Sequence, residues 1–141
     1  MKEFSHSIRV YYEDTDAIGV LYHANHIKFL ERARTEWLRA LGFEQDQLST
    51  DHNILFVVSR LEVEFKAPPA RFNQLLRVTV ALETVRRVTL ELRQRILIAE
   101  GESLCCDARV RIACVSADRL RPTPLPRAVA AALEATQGGA D

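Results

Sequence analysis

The sequence predicts an α+β fold in which a curled antiparallel sheet of five strands wraps around one long helix. Three observations support this prediction: an alternating segment near the N-terminus, a following segment with apolar residues at helical spacing, and four later alternating segments. Each alternating segment has one apolar face, so the sheet needs one apolar cover. The long helix is the element that supplies this cover.

The first strand and the helix come early in the chain. The strand is predicted where Ile8, Val10 and Tyr12 alternate with Arg9 and Tyr11. The helix is predicted over residues 25–41, and Gly42 is expected to end it. Its apolar stripe comprises Ile27, Leu30, Ala33 or Arg34, Trp37, Leu38 and Leu41, and Phe29 broadens it.

Four further strands are predicted between residues 60 and 114, and hairpin-length connections make them antiparallel. Pro68 and Pro69 end the first of them, and residues 100–102 form the turn before the last. The apolar faces comprise Leu61, Val63, Phe65 and Ala67, then Leu76, Val78, Val80 and Leu82, then Val88, Leu90, Leu92, Ile96 and Ile98, and finally Leu104, Cys106, Ala108, Val110, Ile112 and Cys114. A short C-terminal helix is predicted to begin near Pro126.

This order of elements favours the hotdog architecture, in which the sheet curls around the long helix. A ferredoxin-like α+β sandwich is less favoured because it needs a second long helix between strands. Residues 1–141 are predicted to form one domain with a core of about residues 7–126 and a short C-terminal helix after it.

The composition limits the class of function. The chain has 19 basic and 19 acidic side chains, and this balance argues against a general nucleic-acid binder. No stretch of about 18 apolar residues occurs, so no membrane insertion is predicted, and the N-terminus MKEFSHSIRV favours a cytoplasmic location. The three cysteines match neither a disulfide framework nor a zinc site. Cys106 and Cys114 are assigned to the core, and Cys105 is assigned to the opposite face of the sheet.

The common nucleophile and phosphate-binding motifs do not occur in this sequence. No serine lies in a G-x-S-x-G elbow, and neither G-x-x-x-x-G-K nor G-x-G-x-x-G is present. The most informative segment is therefore residues 13–26, EDTDAIGVLYHANH, where acids, a glycine and histidines adjoin apolar residues. Charged groups in such surroundings must be paired or used in function.

Two interpretations of this segment involve no catalysis. The first is a metal site, although the spacing of its candidate ligands matches no strong metal motif. Those ligands are Glu13, Asp14, Asp16, His23 and His26. The second is an acidic turn in which Asp14 or Asn25 caps the helix. It leaves Asp16 and both histidines without a role.

The third interpretation is catalytic and uses the position of the segment just before the helix. A helix N-terminus presents unpaired N–H groups, and these can polarise a carbonyl oxygen. Asp16 beside them can attack the carbonyl carbon or activate a water molecule to do so. Gly19 allows the backbone or a substrate to approach closely. Together these groups form an acyl-transfer site without serine or cysteine.

The segment RVYYEDTDAIGVLYHANHIKFLERARTEWL resembles the acyl-CoA thioesterases of the hotdog superfamily. Within that superfamily it resembles the 4-hydroxybenzoyl-CoA thioesterase-like group and its Tol-Pal-associated branch. The similarity extends from about Ser7 to Pro126 and includes Y-Y-E-D-T-D, G-V-x-Y-H, E-R-A-R-T-E and E-x-E-F-K-A-P. The resemblance implies hydrolysis of an acyl-CoA substrate to a free acid and CoA. Thioester hydrolysis needs no redox cofactor, and neither a cofactor nor a bound metal is predicted.

The resemblance also implies roles for residues of the loop and the helix start. Asp16 matches the catalytic carboxylate. The backbone N–H near His23 matches the group that polarises the thioester carbonyl, and the His23 side chain matches a histidine of the branch at this site. Gly19 and Tyr22 are assigned to substrate binding, with a core position as the alternative for Tyr22.

Further residues are assigned on the same basis. Arg86 and Arg87 fall where related enzymes place basic residues toward the CoA nucleotide, with a solvated turn as the alternative. Glu31 matches an acid of the branch's helix, or it pairs with Arg34 at i+3. His26 departs from the family pattern, which commonly has an aromatic residue at this position. The resemblance therefore does not predict the shape of the acyl pocket.

A homodimer is predicted as the smallest active unit, with a homotetramer as the further assembly. One helix covers only one face of the sheet, and the edge strands need protection from uncontrolled pairing. Joining two sheets edge to edge meets this need symmetrically. The resemblance implies such dimers and tetramers, and also a link to cell-envelope assembly. A non-catalytic acyl-binding or scaffold module of the same fold and a metal-binding protein stay open as alternatives.

Overall fold

The computed structural model describes residues 2–137, so Met1 and residues 138–141 of the predicted domain lie outside the described part. A short 3-10 turn, Tyr12–Asp14, follows the first strand. The strands are β1 (Glu3–Arg9), β2 (Ile54–Phe65), β3 (Leu75–Val85), β4 (Thr89–Ile98) and β5 (Ser103–Ser116), and the helices are α1 (His23–Ala40), α2 (Gln45–His52) and α3 (Arg127–Gln137). Among residues 2–137, none of the helices has the length and apolar composition needed to cross a membrane.

The five strands form one antiparallel sheet in the order β1-β3-β4-β5-β2, which confirms the predicted fold class. Hairpins connect β3, β4 and β5, as predicted. The expected hairpin between β2 and β3 is wrong, because residues 66–74 carry the chain from one edge of the sheet to the other side. β2 instead pairs with β5, from Ile54 opposite Ser116 to Phe65 opposite Cys106. The two edges are therefore β1 and β2.

Helix α1 packs against β1, β3 and β4 and covers the concave face of the sheet. Gly42 follows its end with φ of +100°, in the left-handed region that favours glycine, as predicted. The predicted stripe needs one correction, because Ile27 is exposed. Asn25 and His26 of the first turn are buried instead, and their side chains form hydrogen bonds with nearby backbone carbonyls. The buried face comprises Asn25, His26, Phe29, Leu30, Ala33, Arg34, Trp37 and Leu38.

The strands differ from the prediction in their ends and in the burial of some residues. β1 ends at Arg9, so that Tyr11 and Tyr12 lie beyond it and are exposed. Phe65 and Ala67 were assigned to a buried face but are exposed, because β2 is an edge strand that α1 does not fully cover and Ala67 lies beyond its end. Cys105 is buried rather than on the opposite face. It occupies a bulge, where the β4–β5 register shifts between Ile96 and Leu97.

The remaining helices are short. α3 begins directly after Pro126, as predicted, and buries Val129 and Leu133. α2 was not predicted. It packs against β2 and buries one apolar residue, Leu48.

Candidate active site

The segment before α1 forms a tight hairpin-like turn that ends at the start of the helix. Its backbone pairs Asp16 with Val20 (N···O 2.9 Å), Thr15 with Leu21, and Asp14 with Tyr22 (2.9 Å). The Leu21 N–H also donates to Ala70 O at 2.8 Å, which ties the turn to the segment before β3. We call residues 14–22 the Asp16 turn. It fixes Asp16 opposite Val20, three residues before the start of α1.

Only one of the two oxygens of the Asp16 carboxylate accepts hydrogen bonds from the described residues. Its Oδ1 accepts the N–H of Ile18 at 3.0 Å and the N–H of Val20 at 3.4 Å. Within residues 2–137, no donor reaches its Oδ2. Gly19 has φ of +83°, which favours glycine, and a Cβ placed there would have no atom within 4 Å. The carboxylate is therefore positioned by backbone groups that bind one of its oxygens, while the other accepts no hydrogen bond from the described residues.

The start of α1 is anchored to the same turn. Asp14 O accepts both the Tyr22 N–H and the side-chain amide of Asn25, the latter at 3.1 Å. His23 is the first helical residue, so its N–H belongs to the group of helix N-terminal donors that have no acceptor within the helix. Asp16 and this donor thus belong to one continuous segment whose backbone is linked by hydrogen bonds.

Aromatic rings surround the helix start. The His23 ring contacts Tyr22 (centroids 4.5 Å) and lies edge-on to Phe65 at 6.4 Å. His26 is edge-on to Phe65 at 4.9 Å. Tyr22 is exposed, so the alternative that placed it in the core is wrong. Phe65 had not been assigned to the site, and only the tertiary fold brings the end of β2 to this place.

His26 is 4% exposed and has a fixed tautomer. Its Nδ1 lies 3.2 Å from Tyr22 O and 3.1 Å from His23 O. Because a carbonyl oxygen only accepts, Nδ1 carries the proton, and Nε2 of the neutral ring is an acceptor. Burial lowers the pKa of His26 below its ordinary value of 6.5, although the two carbonyls oppose this shift.

The lowered pKa of His26 predicts a pH-dependent stability. The folded state disfavours the charged ring, so the free energy of unfolding should fall as the pH drops below about 6.5 and through the folded pKa. His26→Gln should reduce this loss, whereas His52→Gln, at an exposed position, should keep it. Urea unfolding at about pH 7.5 and about pH 5.5 measures the difference. Equal losses for the wild type and His26→Gln would contradict the prediction.

The metal interpretation gains no support from the geometry. Among residues 2–137, no three acids, histidines or cysteines converge in a manner suited to a metal ion. The Asp14 and Asp16 carboxylates accept backbone N–H groups instead, and His26 Nδ1 donates to carbonyls.

Arg86 and Arg87 are not brought to Asp16 within one chain. They lie in the β3–β4 turn, whereas the Asp16 turn follows β1 at the other end of β3. The eleven residues of β3 separate the two places by about 33 Å at 3.3 Å per residue. Both arginine side chains are exposed. Their role toward CoA stays a prediction.

Glu31 and Arg34 lie further along α1. Glu31 accepts a hydrogen bond from the Thr35 hydroxyl at 2.7 Å and forms no ion pair with Arg34, so that alternative is wrong. Arg34 instead donates from Nη1 to Gln94 Oε1 at 3.0 Å. Burial lowers the pKa of Arg34, and the charge of Glu31 opposes this shift.

The cysteines are poorly suited to nucleophilic catalysis. All three are buried, and burial raises the pKa of Cys105 to about 11, of Cys106 to about 12 and of Cys114 to about 11. A thiol that stays protonated at neutral pH is a weak nucleophile.

The chain is similar to known proteins over nearly its whole length. The family described as "Thioesterase-like superfamily" matches residues 10–133. The acyl-CoA thioesterase YbgC of Haemophilus influenzae is 40% identical over 129 residues, which cover 92% of this chain and 93% of the relative. The crystal structure of a probable thioesterase from Bartonella henselae is 34% identical with a TM-score of 0.82 and covers 88% of this chain and 99% of its own. The fold alone is shared with the DHNA-CoA thioesterase from Staphylococcus aureus, which has a TM-score of 0.87 at 24% identity over 100% of this chain and 97% of the other.

Proposed function

This chain belongs to the thioesterase-like superfamily, and we propose that it hydrolyses acyl-CoA thioesters to a free acid and CoA at the Asp16 turn. The observation that carries this proposal is the geometry of that turn. It holds a carboxylate with one unengaged oxygen in the segment that leads directly into the N-terminus of the long helix.

The proposed chemistry follows from these two groups. The His23 N–H donates to the carbonyl oxygen of the thioester and stabilises the negative charge that develops there. Asp16 then either attacks the carbonyl carbon or removes a proton from an attacking water. If Asp16 attacks, the C–S bond breaks as an acyl–Asp16 anhydride forms, and water then hydrolyses this anhydride to release the acid and restore Asp16. If Asp16 is the base, water adds to the carbonyl carbon and the C–S bond breaks. In both routes the CoA thiolate takes up a proton that comes from the water. The His23 side chain borders the site, and Gly19 and Tyr22 contact the substrate.

We place the active unit in a homodimer joined through β2. β2 is an edge strand, and its exposed apolar residues include Val57, Val58 and Phe65. Exposed apolar residues on an edge strand favour pairing with another strand. A two-fold axis through β2 would make the sheets continuous and close the site near Phe65, which one chain leaves half-open. Pairing of two such dimers gives the proposed homotetramer, and we propose the cytoplasm as its location.

This dimer gives a role to Arg86 and Arg87. Two antiparallel β2 strands run in opposite directions, so the partner's β3–β4 turn lies at the end of the sheet where Asp16 lies. The partner subunit's Arg86 and Arg87 would then face the nucleotide of a CoA bound at the Asp16 turn. Their guanidinium groups suit phosphate oxygens.

Replacing both Arg86 and Arg87 with Ala should raise KM for acyl-CoA by about tenfold or more, because charge-assisted hydrogen bonds to phosphate are lost. Turnover of an acyl-N-acetylcysteamine thioester, which has no nucleotide, should hardly change. Steady-state kinetics on both substrates measure the contrast. Ala replacement of the exposed Arg119 and Arg121 controls for a general loss of positive charge. Equal damage to both substrates would refute the binding role.

A thiol-release panel tests the proposed function. It comprises acyl-CoAs of graded length, with aromatic members included. Hydrolysis of at least one member with saturation kinetics is the expected result. Failure to release thiol from any member would reject the proposal.

A further inference from the structure

Arg34 is a buried cation whose only hydrogen-bond partner within residues 2–137 is a neutral amide. It lies on the inner side of α1 and is 9% exposed. Its Nη1 donates to Gln94 Oε1 at 3.0 Å, and the described residues give it no ion pair. A buried charge is costly unless it is paired and fully hydrogen-bonded. The guanidinium therefore has donors available for a further acceptor.

The guanidinium is held in place by a buried polar network. The Gln94 side chain is fully buried, and its Nε2 donates to Leu30 O at 3.1 Å and to Thr79 O at 3.3 Å. These bonds link α1 to β3 and β4 and orient Gln94 Oε1 toward Arg34. The position of the charge is thus fixed before any ligand binds.

Arg34 lines a cavity between α1 and β2. The cavity has a volume of about 140 Å³, and its apolar walls include Leu38, Phe56, Val57 and Val58. Arg34 is the one cation among the described residues that line it, and the other polar lining residues are Glu31, Thr35 and Gln45. A cavity with apolar walls and one fixed cation fits an apolar chain that ends in an anionic group.

The cavity lies on the same side of α1 as the contacts of His23 and His26 with β2. α1 and β2 run in opposite directions, because His23 and His26 contact Phe65 at the end of β2 while Arg34 shares a cavity with Val57. Gln94 bonds both Leu30 O and Arg34, so the guanidinium lies near the level of Leu30. Leu30 is seven residues after His23, which corresponds to about 10 Å along the helix axis.

We propose that Arg34 is a specificity-determining residue that binds a terminal carboxylate on a medium-length acyl group. The thioester carbonyl would lie at the His23 N–H, and the far end of the acyl chain would reach the guanidinium. A carboxylate can accept two parallel N–H donors from this fork. This inference rests on the proposed thioesterase function.

Glu31 opposes this binding and gives an independent test of it. It lines the same cavity, and its carboxylate is held by Thr35 outside ion-pair distance of Arg34. Its negative charge weakens the attraction of the site for a second carboxylate. Removing that charge should therefore strengthen the preference, whereas removing the Arg34 charge should abolish it.

The experiment compares three acyl-CoAs of equal chain length that end in a methyl group, a hydroxyl group or a carboxylate. The wild type should have the highest kcat/KM for the carboxylate-ended substrate. Arg34→Met should lower the carboxylate-to-methyl ratio by about 10- to 100-fold, because the charged hydrogen bonds are lost. Arg34→Lys should retain part of the preference, and Glu31→Gln should raise it. The ratio is measured within one preparation, so partial unfolding of a variant does not affect it.

Three results would overturn the inference. They are a wild-type preference for the methyl-ended substrate, equal rates for the hydroxyl-ended and carboxylate-ended substrates, and an unchanged ratio in Arg34→Met. In all three the proposed function would still hold, because thioesters are hydrolysed. Hydrolysis of no thioester by the wild type would reject the proposed function and this inference together.

Discussion

Asp16→Asn is expected to abolish most of the thioesterase activity while the protein stays folded. The asparagine oxygen can still accept the Ile18 and Val20 N–H groups, so the Asp16 turn should keep its shape. What is lost is a charged oxygen able to attack a carbonyl or take a proton. The expected fall in kcat is about 10²–10⁴-fold if Asp16 is a general base. It approaches about 10⁶-fold if Asp16 is the nucleophile.

Two companion variants make this result specific. Asp14→Asn removes an acid two positions away, whose Oδ2 accepts the Tyr11 N–H at 2.8 Å, and should keep activity within about tenfold of the wild type. His23→Ala should cost less than Asp16→Asn, because the proposed polarising group is the backbone N–H. Steady-state kinetics and circular dichroism on all three variants decide the assignment. Near-normal turnover by Asp16→Asn with loss of turnover by Asp14→Asn would refute it.

Val58→Lys is expected to separate the subunits and to cause the second large loss of activity. Val58 lies on β2 opposite Ile112 of β5 and is 48% exposed in the single chain. A lysine on an edge strand disfavours pairing with another strand. If both subunits close the site, the monomer should lose about 10²-fold in kcat/KM, because catalytic geometry tolerates little displacement.

Light scattering across a dilution series, run beside the activity assay, measures this effect. Leu120→Lys is the matched control, because it adds the same charge at an exposed apolar residue in the loop after β5. The control should retain the wild-type mass and rate. A monomeric Val58→Lys protein with full specific activity would contradict the dimeric site.

Local sequence patterns predicted much of the fold. The meander of β3, β4 and β5 follows from strict alternation joined by short turns, and α1 follows from its apolar stripe. The edge position of β2 could not be predicted, because it depends on pairing between residues that are far apart in sequence, such as Ile54 and Ser116. α2 escaped prediction because it buries only Leu48.

The residues of the candidate site were likewise predicted where a local motif contains them and missed where they depend on contacts between distant parts of the chain. Asp16, Gly19 and His23 lie within eight consecutive residues, so a single motif and its resemblance to a family indicated them. The contact of His23 with Phe65 joins residues about 40 positions apart, and the Arg34–Gln94 hydrogen bond joins residues 60 positions apart. No local sequence pattern indicates such contacts. The bulge that buries Cys105 likewise breaks the alternation on which its assignment depended.

The proposed mechanism requires this chain to break the thioester bond of acyl-CoA through Asp16. The most direct test measures CoA thiol and free acid together from the best substrate of the panel, with the wild type and with Asp16→Asn after treatment of both with a chelator. We expect equal amounts of thiol and acid from the wild type and almost none from Asp16→Asn. Binding of acyl-CoA without release of either product, or release that is equal in both proteins, would contradict it.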